Sequence, residues 1–431
     1  MKTKYLFLIS LLLIVATLLS CSKSESSNDL LELSQSAFKD VSANGDILRI
    51  QIKSNGTWRV NSSAQWCIPY NEQGASGDEL VISVAANSEA VQRSTSIMVT
   101  CGTDSQNIQI EQAPSTQTLE EMHYTLPVIF HVLSPANKTA PTIPAQRFSI
   151  IIDHVNQLYR GNAESSDMNL SFELATIGTD GKELATPGVE YITWSGRYPI
   201  DCEEFMTDQT GKYVNYLWDP NLYINVMVYD FEQPNPYSTI LGISHLPFST
   251  AGSNYLEGLS QTSYSYLKKS NLKFPYCTSI NSEFIDDTSP TSSIYVTLAH
   301  ELGHYLGLYH AFNEDEEGNM ADYCTDSDYC EDTPPYNKVQ YDEWIYQNQE
   351  VSSDFGFFAR RINCATGEEF TARNIMDYAY CYSDQFTPDQ RARVRHVLMY
   401  SPLIPGAKQT ASTSIRSAGE EKIDLPIRTV Q

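Results

Sequence analysis

Apolar and polar residues alternate in the first part of the chain. Leu48, Ile50 and Ile52 are separated by single polar residues. Further short apolar runs occupy residues 81–84, 97–99 and 108–110, with clusters rich in glycine, asparagine and serine between them. A period of two places alternate side chains on opposite faces of a strand. Short strands at this spacing predict an antiparallel β-sandwich over residues 30–115.

The pattern changes after a polar linker at residues 116–121. Residues 126–133 (LPVIFHVL) are almost all apolar, as in a strand that is covered on both faces, and residues 145–159 carry apolar side chains at helical spacing. Further strands are predicted at 170–174 and 222–229, and further helices from about Ser293 and from the capping box at Thr387. This succession predicts a second domain over residues 122–405, of the α/β (α+β) class with a mixed sheet.

The first residues predict export. Two lysines precede the apolar residues 5–19, which are too few for a comfortable membrane span and are typical of a signal peptide. The run ends in LLSC, which resembles the lipobox of bacterial lipoproteins. We therefore predict a signal peptide over 1–20, a diacylated Cys21 and a polar tether over 21–29, although an ordinary signal peptide with a chance cysteine is the alternative. The lipid alone would hold the protein to the outer membrane or cell surface, or to the periplasmic face.

Charge and cysteine content narrow the class of protein. The chain has 53 acidic and 28 basic residues and a net charge of -25, which argues against nucleic acid as a partner because phosphate binding needs a basic surface. Of nine cysteines, Cys21 is assigned to the lipid, and the others can pair in an oxidising compartment. The polar residues 406–431 predict a flexible C-terminal tail.

Residues 300–310 (HELGHYLGLYH) have the spacing of metal ligands. Positions i and i+4 share one face of a helix, so His300 and His304 can bind one ion. Gly307 can adopt a positive φ and end the helix, which lets His310 reach the same ion. Three neutral imidazoles leave one tetrahedral position of a zinc ion open, as in catalytic sites, and Glu301 is the predicted general base. The alternative is a metal site that has kept its ligands and lost its chemistry.

This motif resembles that of the metzincin metalloproteases, which carry a methionine turn beneath the zinc. Residues 374–378 (NIMDY) fit that turn. Together with DTP at 332–334 and FTPDQ at 386–390, they resemble the pappalysin family more specifically, in particular the zinc-dependent metalloproteinase lipoproteins of Bacteroidetes. The resemblance implies that Met376 forms an apolar floor under the histidines. It also implies that Tyr378 hydrogen-bonds the transition state, with a packed turn residue as the alternative.

An acidic loop follows the histidines. Residues 313–332 contain nine carboxylates and neither lysine nor arginine. Oxygen ligands at this density suit calcium, and the pappalysin resemblance implies a calcium site here, with Asp332 as the candidate ligand. A solvated acidic loop without a bound ion is the alternative.

Four cysteines lie around this loop and the methionine turn, and four cysteines allow three pairings. The pappalysin resemblance implies the crossed bridges Cys324–Cys364 and Cys330–Cys381. Cys202 and Cys277 form a third candidate pair, and Cys67 and Cys101 either pair or remain buried thiols. Arginine-selective pappalysins have an acidic residue where this chain has Tyr380, so that selectivity is not implied.

The first domain resembles the BACON domain of Bacteroidetes surface proteins. The features that match include GTW at 56–58, Trp66, Arg93 and the closing IQIEQ at 108–112. The resemblance implies glycan or mucin binding, for which exposed tryptophans could stack on sugars. The alternative is a spacer domain in which Trp58 and Trp66 are core residues.

Two functions follow from these features. The first is a lipid-anchored extracytoplasmic zinc endopeptidase that acts on proteins or peptides, with an edge strand at 241–246 that pairs with the substrate backbone. The second is a glycan- or mucin-binding surface lipoprotein whose peptidase domain is inactive or accessory. The intact Glu301 and the open zinc position favour the first.

Overall fold

The computed structural model describes residues 30–136, 143–233, 239–315, 318–378, 380–409 and 421–430. The predicted signal peptide 1–20, the lipidated Cys21 and the tether 21–29 lie outside these residues. Across the described ranges, no helix combines the length and the apolar character that crossing a bilayer requires.

The first domain is built from nine strands within the described residues. In chain order they are β1 (Leu31–Leu33), β2 (Ala37–Val41), β3 (Asp46–Ser54), β4 (Trp58–Asn61), β5 (Cys67–Pro69), β6 (Gln73–Gly74), β7 (Glu79–Val84), β8 (Arg93–Cys101) and β9 (Asp104–Gln112). One sheet has the order β1-β3-β7-β5 and the other has the order β2-β9-β8-β4-β6. Apolar side chains from both sheets form one core, which confirms the predicted sandwich. One pair differs from the antiparallel prediction, because β2 runs parallel to β9.

The two tryptophans of this domain have different environments. Trp58 is fully buried in the core, and its indole N–H donates to the Ala75 carbonyl at 2.7 Å. Trp66 is half-buried, and the Arg93 guanidinium lies over its ring, 4.4 Å from the centroid. Trp58 is therefore a core residue and offers no face to a sugar.

The second domain combines a mixed sheet with helices. Its elements in chain order are β10 (Tyr124–Pro135), α1 (Ala145–Arg160), β11 (Leu170–Leu174), β12 (Val189–Trp194), α2 (Cys202–Thr207), β13 (Ile224–Tyr229), β14 (Gly242–His245), β15 (Phe248–Thr250), β16 (Ser260–Thr262), β17 (Thr278–Asn281), α3 (Ile294–Tyr305), α4 (Lys338–Asn348), α5 (Phe355–Phe358), β18 (Arg360–Ile362), β19 (Glu369–Thr371), α6 (Pro388–Tyr400) and β20 (Thr429–Val430). The sheet order is β11-β10-β13-β17-β14-β20, and β12 also pairs with β10. β14 runs antiparallel to β17, whereas β10, β11, β13 and β17 are parallel. This confirms the predicted mixed α/β domain.

Local sequence explains the elements that hold the site. β10 is almost wholly buried along its apolar run, as expected for a strand covered on both faces. Helix α1 buries Phe148, Ile151 and Val155 on the face that packs towards the core. At the start of α6, Thr387 accepts a hydrogen bond from the Gln390 N–H and the Gln390 side chain accepts one from the Thr387 N–H, so the capping box is confirmed.

The end of the chain corrects the expectation of a flexible tail over 406–431. In its described part, residues 421–430 lie against the second domain, and β20 pairs antiparallel with β14. Ile423, Leu425 and Ile427 pack on the main core. These three residues recur at every second position, separated by Asp424 and Pro426, so a period-two signal was present in the sequence but is too short to identify a partner strand.

His245 on β14 makes folding sensitive to acid. It is buried between the backbone carbonyls of Cys277 and Met206, and burial lowers its pKa to about 4. An unfolded histidine has a pKa of about 6.5. The unfolded chain therefore takes up a proton that the folded chain does not, so stability is full above pH 6.5 and is lost as the pH falls to 4. We expect a loss of roughly 3 kcal/mol over this range.

Urea unfolding of the parent protein and of His245→Gln, at pH 7 and at pH 4.5, measures this effect. The variant should show a shallower fall in the free energy of unfolding. The same change at the exposed His123 is the control and should leave the fall unchanged. Equal falls in the parent and in His245→Gln would contradict the assignment.

Candidate metal centre

The three predicted histidines meet at one point. His300 and His304 lie one turn apart on α3, and His310 reaches them after a turn at Gly307, whose φ is 94°. The Nε2 atom of His304 lies 3.0 Å from that of His300 and 3.2 Å from that of His310. All three side chains are buried. Within the described residues, they are the set of histidine, cysteine and carboxylate groups that could hold a metal ion.

The outer nitrogen of each ring is occupied. His300 Nδ1–H donates to the Ile375 carbonyl at 2.8 Å, and His304 Nδ1–H donates to the Leu308 carbonyl at 2.8 Å. His310 Nδ1–H donates to the Glu314 carboxylate at 2.6 Å. These bonds leave three Nε2 lone pairs directed at one another, an arrangement that repels unless a cation lies between them. Outer hydrogen bonds of this kind are characteristic of metal-bound histidines, so the residues fit zinc.

Burial keeps the imidazoles of His300 and His304 neutral. Desolvation and the neighbouring His310 lower the pKa of His300 to about 3. The pKa of His304 is lowered well below its usual value for the same reasons, with His300 as a further contributor. Metal ligation requires the neutral ring, so the pocket presents these two ligands in the protonation state that zinc binds.

The methionine turn is tied to two of the histidines by backbone bonds. The Ile375 carbonyl accepts from His300, and the Met376 carbonyl accepts from the Ala311 N–H at 3.0 Å, next to His310. Met376 is fully buried, and its sulfur lies 2.5 Å from the place that a Cβ on Gly303 would occupy. The side chain therefore packs directly against the helix that carries the first two ligands.

Glu301 lies at the same site, and one of its carboxyl oxygens makes no hydrogen bond. The side chain is buried, and its Oε2 atom has no hydrogen-bond partner. Burial in these surroundings raises the pKa of Glu301 well above its usual range. Gly242 on β14 makes room for it, since a Cβ there would lie 2.5 Å from both Cγ and Oε1 of Glu301. Burying a carboxyl without a hydrogen-bond partner for one oxygen destabilises the folded protein, so Glu301 is a candidate functional residue.

Tyr378 lines the site from the methionine turn. Its ring centroid lies 4.7 Å from that of His310 and 5.9 Å from that of His300. Its surroundings also raise the pKa of the phenol, mainly through burial and then through the Glu314 and Glu301 carboxylates. The phenol therefore stays protonated at neutral pH and can donate a hydrogen bond.

Sequence reasoning missed the buried ion pair behind this turn. Arg361 Nη2 lies 3.4 Å from Asp377 Oδ2, and both side chains are almost completely buried. The Tyr336 hydroxyl donates to Asp377 at 2.5 Å, and the Arg361 guanidinium lies 3.6 Å from the centroid of the Tyr341 ring. Asp377 was visible in the NIMDY motif, but its partner Arg361 lies in a separate segment, beside Arg360, where the sequence shows no motif.

Some carboxylates of the acidic loop accept hydrogen bonds from other parts of the protein. Glu314 orients His310, and the exposed Asp332 accepts a hydrogen bond from the Asp389 N–H at 2.9 Å, at the start of α6. Asp328 is buried, and desolvation raises its pKa to about 7. Calcium binding by Asp332 remains a prediction.

The cysteines agree with only one of the implied bridges. Cys324 and Cys364 form a disulfide. The implied Cys330–Cys381 bridge is wrong, because both residues are buried free thiols. Cys381 Sγ instead donates to the Asn374 carbonyl at 3.2 Å, within the methionine turn.

The remaining candidate pairs are also unbridged. Cys202 and Cys277 are buried free thiols, so the third candidate bridge is wrong. Cys277 Sγ contacts the sulfur of Met206 at 3.5 Å. Cys67 and Cys101 are buried thiols as well, which decides between the two alternatives that the sequence left open.

A cleft of about 600 Å³ opens beside the histidines. His300, Glu301 and Tyr378 are among its lining residues. Its other walls are mainly apolar and include Ile240, Leu241, Phe284, Val296 and Met320. Asp377 also borders the cleft, but its charge is engaged by Arg361. The cleft thus combines a metal-binding histidine, a carboxyl group and a phenol with walls that are mainly apolar.

Comparisons with known proteins agree with this geometry. Residues 208–399 match the family described as pregnancy-associated plasma protein-A, the pappalysin peptidases, and residues 56–113 match the BACON family of N-terminal binding domains. An extracellular metalloprotease of Arthroderma benhamiae is 34% identical over 99 residues, which are 23% of this chain and 29% of that protein. One from Aspergillus oryzae is 34% identical over 102 residues, which are 23% of this chain and 26% of that protein.

Among solved structures, mature mirolysin of Tannerella forsythia in complex with a cleaved peptide is 19% identical. The match covers 63% of this chain and 90% of that one, with a TM-score of 0.43. The chain spans less than a third of the length of the fungal relatives, at 29% for the first. Residues 208–399, which carry the three histidines and the methionine turn, thus match the pappalysin peptidase family, and residues 56–113, ahead of them, match the BACON family.

Proposed function

We propose that this protein is a zinc endopeptidase that hydrolyses peptide bonds in extended protein segments outside the cytoplasm. The observation that carries the proposal is the convergence of three Nε2 atoms beside the unpartnered Oε2 of Glu301. A structural zinc site would be closed by a fourth protein ligand. Here the described residues supply three histidines and a carboxyl that is placed to handle protons.

The chain's own residues supply the acid–base chemistry. When bound, zinc supplies a Lewis acid that polarises a carbonyl and acidifies water. Glu301 takes the proton from the attacking water and delivers it to the leaving amine, because its carboxyl lies beside the three histidines and its Oε2 atom has no hydrogen-bond partner. Tyr378 donates a hydrogen bond from its protonated phenol to the oxyanion.

β14, which lies between β17 and β20 in the sheet, provides the strand beside which the substrate extends. It is antiparallel to β17 and passes Glu301 at Gly242. A peptide added as a strand gains main-chain hydrogen bonds that do not depend on sequence. This explains how one cleft can accept many substrates.

The cleft favours apolar over basic side chains. Of the carboxylates that border it, Glu301 is assigned to proton transfer, and Asp377 is engaged by Arg361, by the Tyr336 hydroxyl and by the backbone N–H of Tyr378. No free charge among the described lining residues attracts arginine. The apolar walls suit an apolar side chain on the C-terminal side of the scissile bond.

We also propose where the enzyme is located. Export through the signal peptide 1–20 and lipidation at Cys21 would place the enzyme on the membrane surface, with the BACON-family domain between lipid and active site. Mass spectrometry of the mature N-terminal peptide, with Cys21→Ser as the comparison, tests this part.

Metal analysis and a mixed peptide library test the activity. We expect one zinc per chain, removable with 1,10-phenanthroline, and cleavage before apolar residues. Stoichiometric zinc without cleavage of any peptide or protein would overturn the proposal and favour the glycan-binding alternative.

Gly242→Ala should separate metal binding from catalysis. The added Cβ would lie 2.5 Å from Glu301 Cγ, so the carboxyl must move. A displacement of about 1 Å can reduce the rate roughly a hundredfold. We expect a fall in kcat of roughly tenfold to a hundredfold with full zinc occupancy, measured by steady-state kinetics and metal analysis.

The matched control is Gly356→Ala, where a Cβ would meet its nearest atom at 3.5 Å. This variant should keep the parental kcat. An active Gly242→Ala enzyme would show that Glu301 does not need its present position.

A further inference from the structure

The outer edge of β14 is already partly occupied. Ser244 pairs with Val430 and His245 with Thr429 in antiparallel register. The Leu246 N–H donates to the Arg428 carbonyl at 3.0 Å. The occupant is the chain's own segment 421–430, which we call the C-terminal segment. It covers the edge that the proposed function assigns to substrate.

Hydrogen-bond alternation shows which residues of β14 face this edge. His245 donates its N–H to Cys277, on the β17 side, whereas Leu246 bonds outward to the C-terminal segment. In an antiparallel ladder, successive residues bond to opposite sides. Ser244 and Gly242 therefore also present their backbone groups outward. Gly242 is the next outward position beyond Val430, and it lies against Glu301.

The direction of the segment matches that of a substrate. A peptide antiparallel to β14 runs from the position opposite Leu246 towards the position opposite Gly242. It then passes the apolar cleft beside Ile240 and Leu241. Positions opposite Ser244 and Leu246 thus precede the scissile bond. Arg428 and Val430 occupy these two positions and run in the same direction.

The C-terminal segment is held at several other points. Ile423, Leu425, Ile427 and Val430 pack on the main core. The Arg428 guanidinium donates to the Gly258 carbonyl at 3.2 Å and lies 4.9 Å from the centroid of the Tyr309 ring, next to the ligand His310. These contacts anchor the segment along its length rather than at β20 alone.

The geometry points to a binding surface for extended peptide along residues 244–246, on the N-terminal side of the scissile bond, whose resident occupant is the C-terminal segment. This inference rests on the proposed function, since it concerns the same cleft. Substrates that extend far towards their N-terminus must displace the segment, whereas short substrates need not. The segment therefore acts as an internal competitor that is selective for long substrates.

Two proline variants compare a residue of the segment that donates to β14 with a neighbouring residue that does not. By the alternation above, the Val430 N–H points to β14 and the Thr429 N–H points away from it. Val430→Pro removes a ladder donor and Thr429→Pro removes none. The test uses two peptides with the same cleaved sequence, one with six residues before the scissile bond and one with a single residue there.

For Val430→Pro we expect kcat/KM on the long peptide to rise roughly threefold or more, because the segment loses one backbone hydrogen bond to β14. On the short peptide kcat/KM should stay unchanged. Thr429→Pro should leave both values unchanged. Deletion of residues 421–431 should give a larger rise on the long peptide, provided that its zinc content and melting temperature match the parent. An unchanged long-to-short ratio in Val430→Pro would overturn the inference.

A binding assay distinguishes this failure from failure of the proposed function. Fluorescence anisotropy of the labelled long peptide is measured in the Glu301→Gln background, with and without Val430→Pro. Tighter binding with Val430→Pro supports the surface even if the parent cleaves nothing. Cleavage by the parent without tighter binding overturns the surface and leaves the peptidase standing, and no binding to either protein overturns both.

Discussion

Glu301→Gln is expected to reduce peptide hydrolysis by roughly a hundredfold to ten-thousandfold, the usual contribution of a positioned general base. The amide keeps the shape of the side chain but cannot accept the proton from water. Glu301 lies among the buried lining groups of the cleft without a partner for Oε2, so the change removes no hydrogen bond from that atom. Zinc content should stay at one per chain, because the ligands are the three histidines.

Steady-state kinetics on the best library peptide, together with metal analysis, measure both quantities. Glu257→Gln is the matched control, since Glu257 is an exposed residue outside the cleft lining, and it should retain parental activity. Parental hydrolysis by Glu301→Gln would mean that another group moves the proton. Loss of zinc would instead make Glu301 a part of the metal site.

Arg361→Met is expected to destabilise the second domain by roughly 3–5 kcal/mol, the cost of leaving one member of a buried ion pair alone. Arg361 and Asp377 are 0% and 3% exposed, so water cannot replace the lost partner. The guanidinium also donates to the Phe358 carbonyl at 2.8 Å and covers the Tyr341 ring. Because Asp377 lies in the methionine turn, zinc affinity should fall with stability.

Urea unfolding followed by tryptophan fluorescence measures the change. Arg360→Met is the control, because that side chain is 41% exposed and its pairing with Glu369 is worth little. The double variant Arg361→Met/Asp377→Asn should recover part of the loss, since it removes both charges. A loss below 1 kcal/mol in Arg361→Met would contradict the role assigned to the pair.

The zinc site could be predicted because its geometry is local. His300 and His304 are brought together by the pitch of one helix, and Gly307 sets the turn that adds His310. The resemblance to the pappalysin family located Met376 and Tyr378 in the same way, because the methionine turn is a short motif. The groups that orient the ligands could not be predicted from the sequence, since Ile375 and Leu308 act through backbone carbonyls that no side-chain pattern reveals.

The disulfides show where the resemblance to the pappalysin family predicts the wrong cysteine pairing. Cys324–Cys364 was implied correctly, whereas Cys330 and Cys381 remain thiols. A cysteine count limits the pairings but cannot orient the sulfurs, and Cys381 turns its sulfur towards a carbonyl of its own turn. Pairing is decided by the packing that sets side-chain directions.

The sequence by itself determined the β-sandwich, the mixed α/β domain, the three histidines and Glu301, because each depends on periodicity or on spacing within a few residues. Only the tertiary structure showed the Arg361–Asp377 pair, the free thiols and the docking of residues 421–430 on β14. The docking joins residues that lie far apart along the chain, whereas the ion pair and the thiols depend on the directions in which packing turns the side chains. Their contacts arise from how whole elements pack, and a local pattern carries no information about which distant surface it will meet.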